Sequence, residues 1–319
     1  MDLPGEHSPV GAPADPSLPF LAYGTFRPGE LAHEQVKLDL RHEPDPVVVP
    51  HHVLRLRDGL PLLEEAAGSE VRGELLHLGP AGYAAVGEYE PRKLYRWATV
   101  QARSAAGPTH ANALLGKSPS KGSEAEFLQE WRGALDPLFG PGLHALGEQA
   151  VQAVKHRHPP APHEVNFWSR FILLQGTYLT AWTVAERLSA MAFGPRLDPT
   201  QKVTRLGTWE AAMAAVAAAD PPPITVYDSR GLRARQGSAG GNFFTAWYGT
   251  RSNLSHRGKA AMTDYSLVQN SLIGLHDTLR VLLGERLPGL QDVWRQAGQS
   301  SGRPSRLPEP WLLRPMTRR

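Results

Sequence analysis

The residues with the clearest potential for chemistry form a short series in the first hundred positions. They are Tyr23-Gly24-Thr25-Phe26-Arg27-Pro28-Gly29, then Val71-Arg72-Gly73-Glu74-Leu75-Leu76, then Glu88-Tyr89-Glu90 with Tyr95. Consecutive backbone N–H groups in a glycine-bearing turn such as the first can form a concave anion-binding site. Alone, that turn is a weak signal because glycine-rich turns are common. The order of the three segments is more informative than any one of them.

That order resembles the gamma-glutamylcyclotransferase superfamily, whose motifs read Y-G-T-x-R-P-G, V-x-G-E-L and an acidic-aromatic-Glu turn before a Tyr. The resemblance covers roughly residues 20–118. It implies that Glu90 is a general acid/base that takes a proton from the substrate's α-amino group. The freed amine then attacks the γ-carbonyl and closes 5-oxoproline. This chemistry requires a sheltered carboxylate with a raised pKa.

The same resemblance implies roles for the neighbouring residues. The backbone of Tyr23, Gly24, Thr25 and Phe26 is expected to contact the substrate, and Tyr95 is expected to line the pocket. The bound small molecule would be a γ-glutamyl compound or a relative of one. The alternative for Glu90 is an exposed carboxylate in a turn, without a catalytic role.

A second group of polar residues lies between Trp247 and Lys259, where Arg251 and His256 are separated by four residues. This segment resembles the R-x4–6-H motif of HEPN domains, which are all-helical modules that usually dimerise. Glu186-Arg187, on an earlier helical segment, is similar to the acidic-basic pair that these domains often contain. The resemblance covers roughly residues 124–290 and implies a homodimer that binds RNA.

Metal-free RNA cleavage would explain these residue types. A neutral His256 can take the proton from a ribose 2′-hydroxyl, and Arg251 can bind the charged phosphate in the transition state. Asn253 would orient either group, and Arg257 and Lys259 would hold the flanking backbone. In this sequence Ser252 follows the Arg, where the family usually has Asn, Asp or His. The alternative is therefore that Arg251, Asn253 and His256 cap helices and bridge a dimer.

The hydrophobic pattern predicts the elements that position these residues. Strands are predicted at 18–23, 47–49, 52–56, 71–78, 95–102 and 111–115, with a helix at 81–89. Farther along, apolar residues recur at helical spacing from Phe167 to Leu188, and Gly194 and Pro195 end that helix. Helices are also predicted at 209–219 and 267–282, the latter with Thr263 or Asp264 as its N-cap.

Composition and length narrow the classes of function. The 319 residues contain 34 Lys and Arg against 31 Asp and Glu, and no Cys. Disulfides, thiolate catalysis and Cys-based zinc sites are excluded, and no metal or cofactor is expected. Residues 1–20 lack the pattern of a secretory signal and no apolar run is long enough to span a membrane. We therefore expect a cytoplasmic protein without membrane association.

The predicted fold class is α+β, with a gamma-glutamylcyclotransferase-like β-barrel/α domain followed by an all-α HEPN-like helical bundle. The predicted boundaries are a disordered arm at 1–18, the first domain at 19–118, the helical domain at 119–292 and a flexible basic tail at 293–319. The leading hypothesis couples a small-molecule site to a dimeric HEPN ribonuclease of the toxin, stress or phage-defence type. The alternatives are a cyclotransferase whose helical domain only dimerises, and a non-catalytic binding protein.

Overall fold

The chain divides into two units. The computed structural model describes residues 8–57, 59–117, 127–154, 165–227, 234–238, 242–257 and 265–300. Unit 1 is Met1–Asp136 with Ala190–Leu197, and unit 2 is Pro137–Ser189 with Asp198–Arg319. Within the described ranges, none of the helices has the length and apolarity needed to cross a membrane.

A six-stranded barrel forms most of unit 1. Its strands are β1 (Phe20–Ala22), β2 (Asp45–Arg57), β3 (Leu60–Leu76), β4 (Tyr95–Ser104), β5 (Gly107–Gly116) and β6 (Phe127–Leu128). The order is β1-β3-β5-β4-β2-β6, and additional pairings of β1 with β5 and of β3 with β2 bring the sheet round on itself. One helix, α1 (Pro80–Tyr89), connects β3 to β4. The mixed α+β class and the barrel are thereby confirmed.

The strand predictions were more accurate for the positions of the strands than for their lengths. β2 joins two predicted segments across a bulge between Pro50 and His52, where His51 has φ 58. β3 begins about ten residues before its predicted start, in a stretch with Glu64-Glu65 and Gly68 that has little strand propensity. Its antiparallel pairing with β2 along the whole hairpin stabilises those residues as a strand.

The predicted disordered arm is wrong for residues 8–18. The Val10 N–H donates to the Glu90 carbonyl at 3.0 Å, and the Trp97 indole N–H donates to the Gly11 carbonyl at 2.8 Å. The Asn112 amide donates to the Asp15 carbonyl at 2.7 Å. Hydrogen bonds to its backbone groups therefore hold this proline-rich stretch on the barrel, which composition alone does not show. Residues 1–7 lie outside the described part of the chain.

The predicted boundary at residue 118 is too early, because the compact unit continues to Asp136. Trp131 is completely buried in unit 1, and its indole N–H donates to the Gly59 carbonyl at 3.0 Å. The polar segment in which the boundary was placed lies mostly in 118–126, outside the described residues.

Unit 2 is mainly helical. It contains α2 (Leu143–Val154), most of α3 (Val165–Phe193), α4 (Pro199–Thr208), α5 (Glu210–Ala219), α6 (Phe243–Arg257), α7 (Tyr265–Arg286) and α8 (Leu290–Ser300). The predicted apolar face of α3 is confirmed by the burial of Phe167, Phe171 and Tyr178. Gly194, with φ 104, follows the end of that helix as predicted. The proposed N-caps of α7, Thr263 and Asp264, lie outside the described residues.

Two predictions for unit 2 are wrong. It is not all-α, because β7 (Ile224–Tyr227) and β8 (Ala234–Gly237) form an antiparallel pair. The tail predicted at 293–319 is helical as far as residue 300, where α8 ends. Trp294 on that helix is buried, and its indole N–H donates to the Phe139 carbonyl at 2.8 Å. Burial of this large aromatic ring stabilises a segment whose basic composition favoured disorder.

Candidate active site

Unit 1 contains a cavity of about 300 Å³. All six residues assigned to the N-terminal site lie on its wall: Tyr23, Gly24, Thr25, Phe26, Glu90 and Tyr95. They come from the loop after β1, the residue after α1 and the start of β4. The structure thus brings together three segments from Tyr23 to Tyr95, which are 72 positions apart, while their chemical roles stay predictions.

A buried ion pair holds the loop after β1 in place. The Arg27 guanidinium is 2% exposed and donates to both carboxylate oxygens of Glu74, at 2.5 and 2.7 Å. It also donates to the Trp131 carbonyl at 2.9 Å and pairs with Glu130 at 3.1 Å. The Arg of the first motif therefore binds the Glu of the second in a bidentate arrangement, which is the strong geometry for such a pair. Sequence reasoning missed this pairing, although the opposite charges of the two motif residues were a usable signal.

Gly73, in the second motif, allows β1 to approach β3. A Cβ at this position would lie 2.7 Å from the Ala22 carbonyl oxygen and 3.1 Å from a methyl carbon of Leu21. Those strands pair in register, with Ala22 opposite Glu74. Any side chain at position 73 would push β1 away, and the loop that continues from β1 would move with it.

Glu90 is the buried carboxylate of the cavity. It follows the last residue of α1, its backbone is extended (φ −89, ψ 131) and its N–H donates to the Val86 carbonyl. The residue is 9% exposed, and burial raises the pKa of Glu90 to about 8. Two positions earlier, the side chain of Glu88 is 72% exposed and pairs with Arg196 at 2.9 Å. Burial therefore distinguishes Glu90 from its neighbour.

Two buried tyrosines share the wall with Glu90. Burial raises the pKa of Tyr23 and of Tyr95, and the negative charge of Glu90 adds to both effects. Both phenols therefore stay neutral at any working pH. The Tyr23 hydroxyl donates to the Leu114 carbonyl, which orients that ring. Tyr89, from the third motif, also contributes its ring to the wall and stacks edge-on to Phe26 with centroids 4.9 Å apart.

Other wall residues were not found from the sequence. Arg57 and Leu60 flank the turn between β2 and β3, and Lys93 lies between α1 and β4. None of them belongs to a motif. Only the pairing of the two long strands places the β2–β3 turn beside the loop after β1.

The residues predicted for the second site lie on α6. Arg251 is 3.8 Å from a carboxylate oxygen of Glu186 on α3, so the two features singled out in the sequence are adjacent. The Asn253 amide donates to the Tyr227 carbonyl at 3.0 Å, which ties α6 to the β7–β8 hairpin. The side chains of His256 and Arg257 lie outside the described part of the structure, as does the whole of Lys259.

The proposed role of Asn253 in orienting Arg251 or His256 stays a prediction. The alternative, in which Arg251, Asn253 and His256 cap helices and bridge a dimer, likewise stays open.

The fold and the first site define a class: a β-barrel domain in which a glycine-bearing loop and a buried Glu with a raised pKa share one cavity. Residues 20–132 match the family model described as "Gamma-glutamyl cyclotransferase, AIG2-like". Unit 1 therefore contains a domain similar to that of the gamma-glutamyl cyclotransferase, AIG2-like family. The match ends before unit 2, whose HEPN-type identity stays a prediction.

Two solved structures are similar to the chain. One is a solution structure of a protein from Arabidopsis thaliana, 19% identical, covering 35% of this chain and 74% of that chain with a TM-score of 0.28. The other is the crystal structure of YkqA from Bacillus subtilis, 11% identical, covering 45% of this chain and 54% of that chain with a TM-score of 0.30. No curated protein matches the chain.

Proposed function

We propose that unit 1 converts a γ-glutamyl amide into 5-oxoproline and a free amine. The observation that carries this proposal is the burial of Glu90 on the wall of the cavity it shares with the loop after β1. A carboxyl with a pKa of about 8 is well matched to exchanging a proton with an α-ammonium group.

The reaction follows from this arrangement. Ionised Glu90 accepts a proton from the substrate's α-ammonium group, and the resulting amine attacks the γ-carbonyl carbon. The bond between that carbon and the amide nitrogen breaks as Glu90 returns its proton to the departing amine. The attacking nitrogen keeps one hydrogen in 5-oxoproline, and its remaining excess proton leaves on the released amine, which departs as an ammonium ion. Backbone N–H groups of Gly24, Thr25 and Phe26 are proposed to bind the oxygen that develops negative charge. The neutral Tyr95 phenol is a further hydrogen-bond donor on the same wall.

The test is release of 5-oxoproline from a panel of γ-glutamyl amines, quantified by mass spectrometry. Glu90→Gln preserves size and hydrogen bonding but cannot carry the proton, so kcat/KM is expected to fall by roughly 10²–10⁴-fold. Glu88→Gln is the matched control, because it removes an exposed carboxylate two positions away. Equal activity of the Glu90→Gln variant and wild type would disprove the proposed role.

A second candidate function is metal-independent cleavage of RNA by a dimer of unit 2. The observation that favours it is the approach of Arg251 to Glu186, which joins the two HEPN-like features of the sequence. Purified protein would be incubated with total RNA and a tRNA pool without metal, beside His256→Ala and the control Ser255→Ala. Cleavage that leaves 2′,3′-cyclic phosphate ends and disappears only in His256→Ala would support a nuclease.

Under the same hypothesis, a ligand in the cavity of unit 1 regulates the cleavage. The RNA incubation is therefore repeated with each γ-glutamyl amine of the panel. RNA that stays intact under all conditions, including those with ligand, would contradict the second candidate and leave unit 2 as a dimerisation or binding module.

A further inference from the structure

The turn that carries Glu90 is bonded to a segment that lies about a hundred positions later in the chain. Residues 190–197 form the last turn of α3 and the turn that follows it, and they belong to unit 1. Two of them, Ala190 and Pro195, lie on the wall of the cavity together with Glu90. The match to the family model ends at residue 132, so this part of the wall is additional to the matched domain.

The end of α3 requires hydrogen-bond donors from outside the helix, because the last carbonyls of a helix have no partner within it. The Ala190 carbonyl accepts the Gly194 N–H at 3.0 Å. The Met191 carbonyl would pair in the same way with Pro195, which has no N–H. The Tyr89 hydroxyl donates to the Met191 carbonyl at 2.7 Å and to the Ala190 carbonyl at 3.1 Å. Tyr89 therefore supplies the donor that Pro195 lacks.

Two more hydrogen bonds join this segment to the rest of unit 1. The Gln35 amide donates to the Ala192 carbonyl at 3.2 Å. The Arg196 guanidinium donates to the main-chain carbonyl of Glu88 at 2.8 Å, and this contact does not depend on the side chain at position 88. Both residues that precede Glu90 are therefore bonded to the segment.

Glycine at position 194 allows the close approach of the segment to Tyr89. Gly194 has φ 104, and a Cβ there would lie 3.3 Å from the Cδ2 atom of Tyr89 and 3.7 Å from its Cα atom. A side chain at this position would strain its own backbone and push on the residue next to Glu90. The Tyr89 ring also packs edge-on against Phe26, with ring centroids 4.9 Å apart. The ring thus contacts both the segment and the loop after β1.

We propose that residues 190–197 position Glu90 for proton transfer, with Tyr89 as the positioning residue through which they act. The backbone of Glu90 is fixed by its N–H bond to the Val86 carbonyl and by its carbonyl, which accepts the Val10 N–H at 3.0 Å. The adjacent Tyr89 ring limits how far the turn can move away from the cavity. Its release would admit water to the carboxyl and misplace it relative to the substrate. This inference rests on the proposed cyclotransferase function and adds a positioning residue to the same site.

Glu90 shares its cavity with ionisable groups from several elements. Tyr23 comes from the loop after β1, Tyr95 from β4, Arg57 from the end of β2 and Lys93 from the turn after α1. The substitutions used in the test leave all of these groups in place. Because burial is what raises the pKa of Glu90, entry of water would lower that pKa.

The test measures the pH profile of kcat/KM for release of 5-oxoproline, together with the pKa of Glu90 itself. Tyr89→Phe removes the hydroxyl and keeps the ring. Its kcat is expected to fall by roughly 10–100-fold, and the pKa of Glu90 is expected to be lower than in wild type by about 1. That pKa is measured without turnover by 13C NMR of protein labelled at the Glu carboxyl carbons. The Glu90 signal is identified by its loss in Glu90→Gln.

Tyr83→Phe is the matched control, because it makes the same chemical change on α1. Tyr83 is buried, its hydroxyl donates to the Leu18 carbonyl, and it lies outside the cavity wall. This variant is expected to lose stability but to keep the wild-type pH profile and the wild-type pKa of Glu90. Gly194→Ala is the second variant if Tyr89→Phe does not fold, and it is expected to lower the same pKa. Its control is Gly107→Ala at the start of β5, where φ is 122 but a Cβ meets no atom within 4 Å.

The outcomes separate this inference from the proposed reaction. A lowered pKa of Glu90 in Tyr89→Phe and Gly194→Ala, but in neither control, would support the positioning role even if wild type releases no 5-oxoproline. That absence of product would reject the reaction alone. A wild-type pKa of Glu90 in both variants would overturn the proposal, even with reduced activity, because the contact would then be purely structural. An equal shift in Tyr83→Phe would also overturn it.

Discussion

Replacing Glu90 with Gln should make unit 1 more stable at alkaline pH. The folded-state pKa of Glu90 is about 8, against an ordinary value of 4.5. Its contribution to stability is therefore fully present below pH 4.5 and is lost as the pH rises to 8 and ionises a buried carboxyl. Gln cannot ionise, so the variant avoids that loss. An active-site residue is thus expected to cost stability under the conditions in which it works.

The magnitude follows from the two pKa values. The two pKa values differ by about 3.5, and a difference of one in pKa corresponds to about 1.4 kcal/mol of free energy. The complete cost of ionising Glu90 in the cavity is therefore on the order of 5 kcal/mol. The unfolded chain is already partly ionised at pH 5, so the difference between variant and wild type should grow by about 4 kcal/mol from pH 5 to pH 9.

Hydrogen exchange measured by mass spectrometry can follow this difference within unit 1. Wild type, Glu90→Gln and the exposed control Glu88→Gln would be compared at each pH from 5 to 9, using the most protected peptides of β3 and β5. Glu90→Gln should gain protection relative to wild type as the pH rises, and Glu88→Gln should not. A constant difference between Glu90→Gln and wild type over the whole range would refute the raised pKa of Glu90 and the acid/base role built on it.

Three further predictions concern the residues that hold the site together. Gly73→Ala should destabilise unit 1 by about 1–3 kcal/mol through overpacking. Gly176→Ala on α3 should be stabilising, because a Cβ there meets no atom within 4 Å. Urea unfolding of each variant checks both expectations. Arg27→Met should cost about 3–5 kcal/mol by leaving Glu74 as an unpaired buried charge, and the double variant Arg27→Met/Glu74→Met should recover much of that loss in the same assay. Burial raises the pKa of Glu30 to about 7, so the stability difference between Glu30→Gln and wild type should develop between pH 4.5 and 7 and then level off, as followed by urea unfolding at several pH values.

The sequence by itself identified the motif segments of the first site and two of the long helices. Regular apolar spacing located α3 and α7, because a helix buries every third or fourth side chain whatever its partners are. The order of three short motifs identified the loop that begins at Tyr23, and also Glu90. The bidentate pair between Arg27 and Glu74 and the close approach at Gly73 give a physical reason for these residue types in the first two motifs.

Only the tertiary structure decided the properties that make this a site. The pKa of Glu90 depends on its burial, and burial is produced by strands that are distant in the chain. Closure of the barrel likewise brought Arg57 to the cavity wall, although no local pattern marks that residue. Residues 8–18 and α8 are also ordered by contacts with distant segments. Hydrogen bonds and aromatic packing to those segments offset the conformational entropy that is lost when the residues become ordered, and composition does not reveal such contacts.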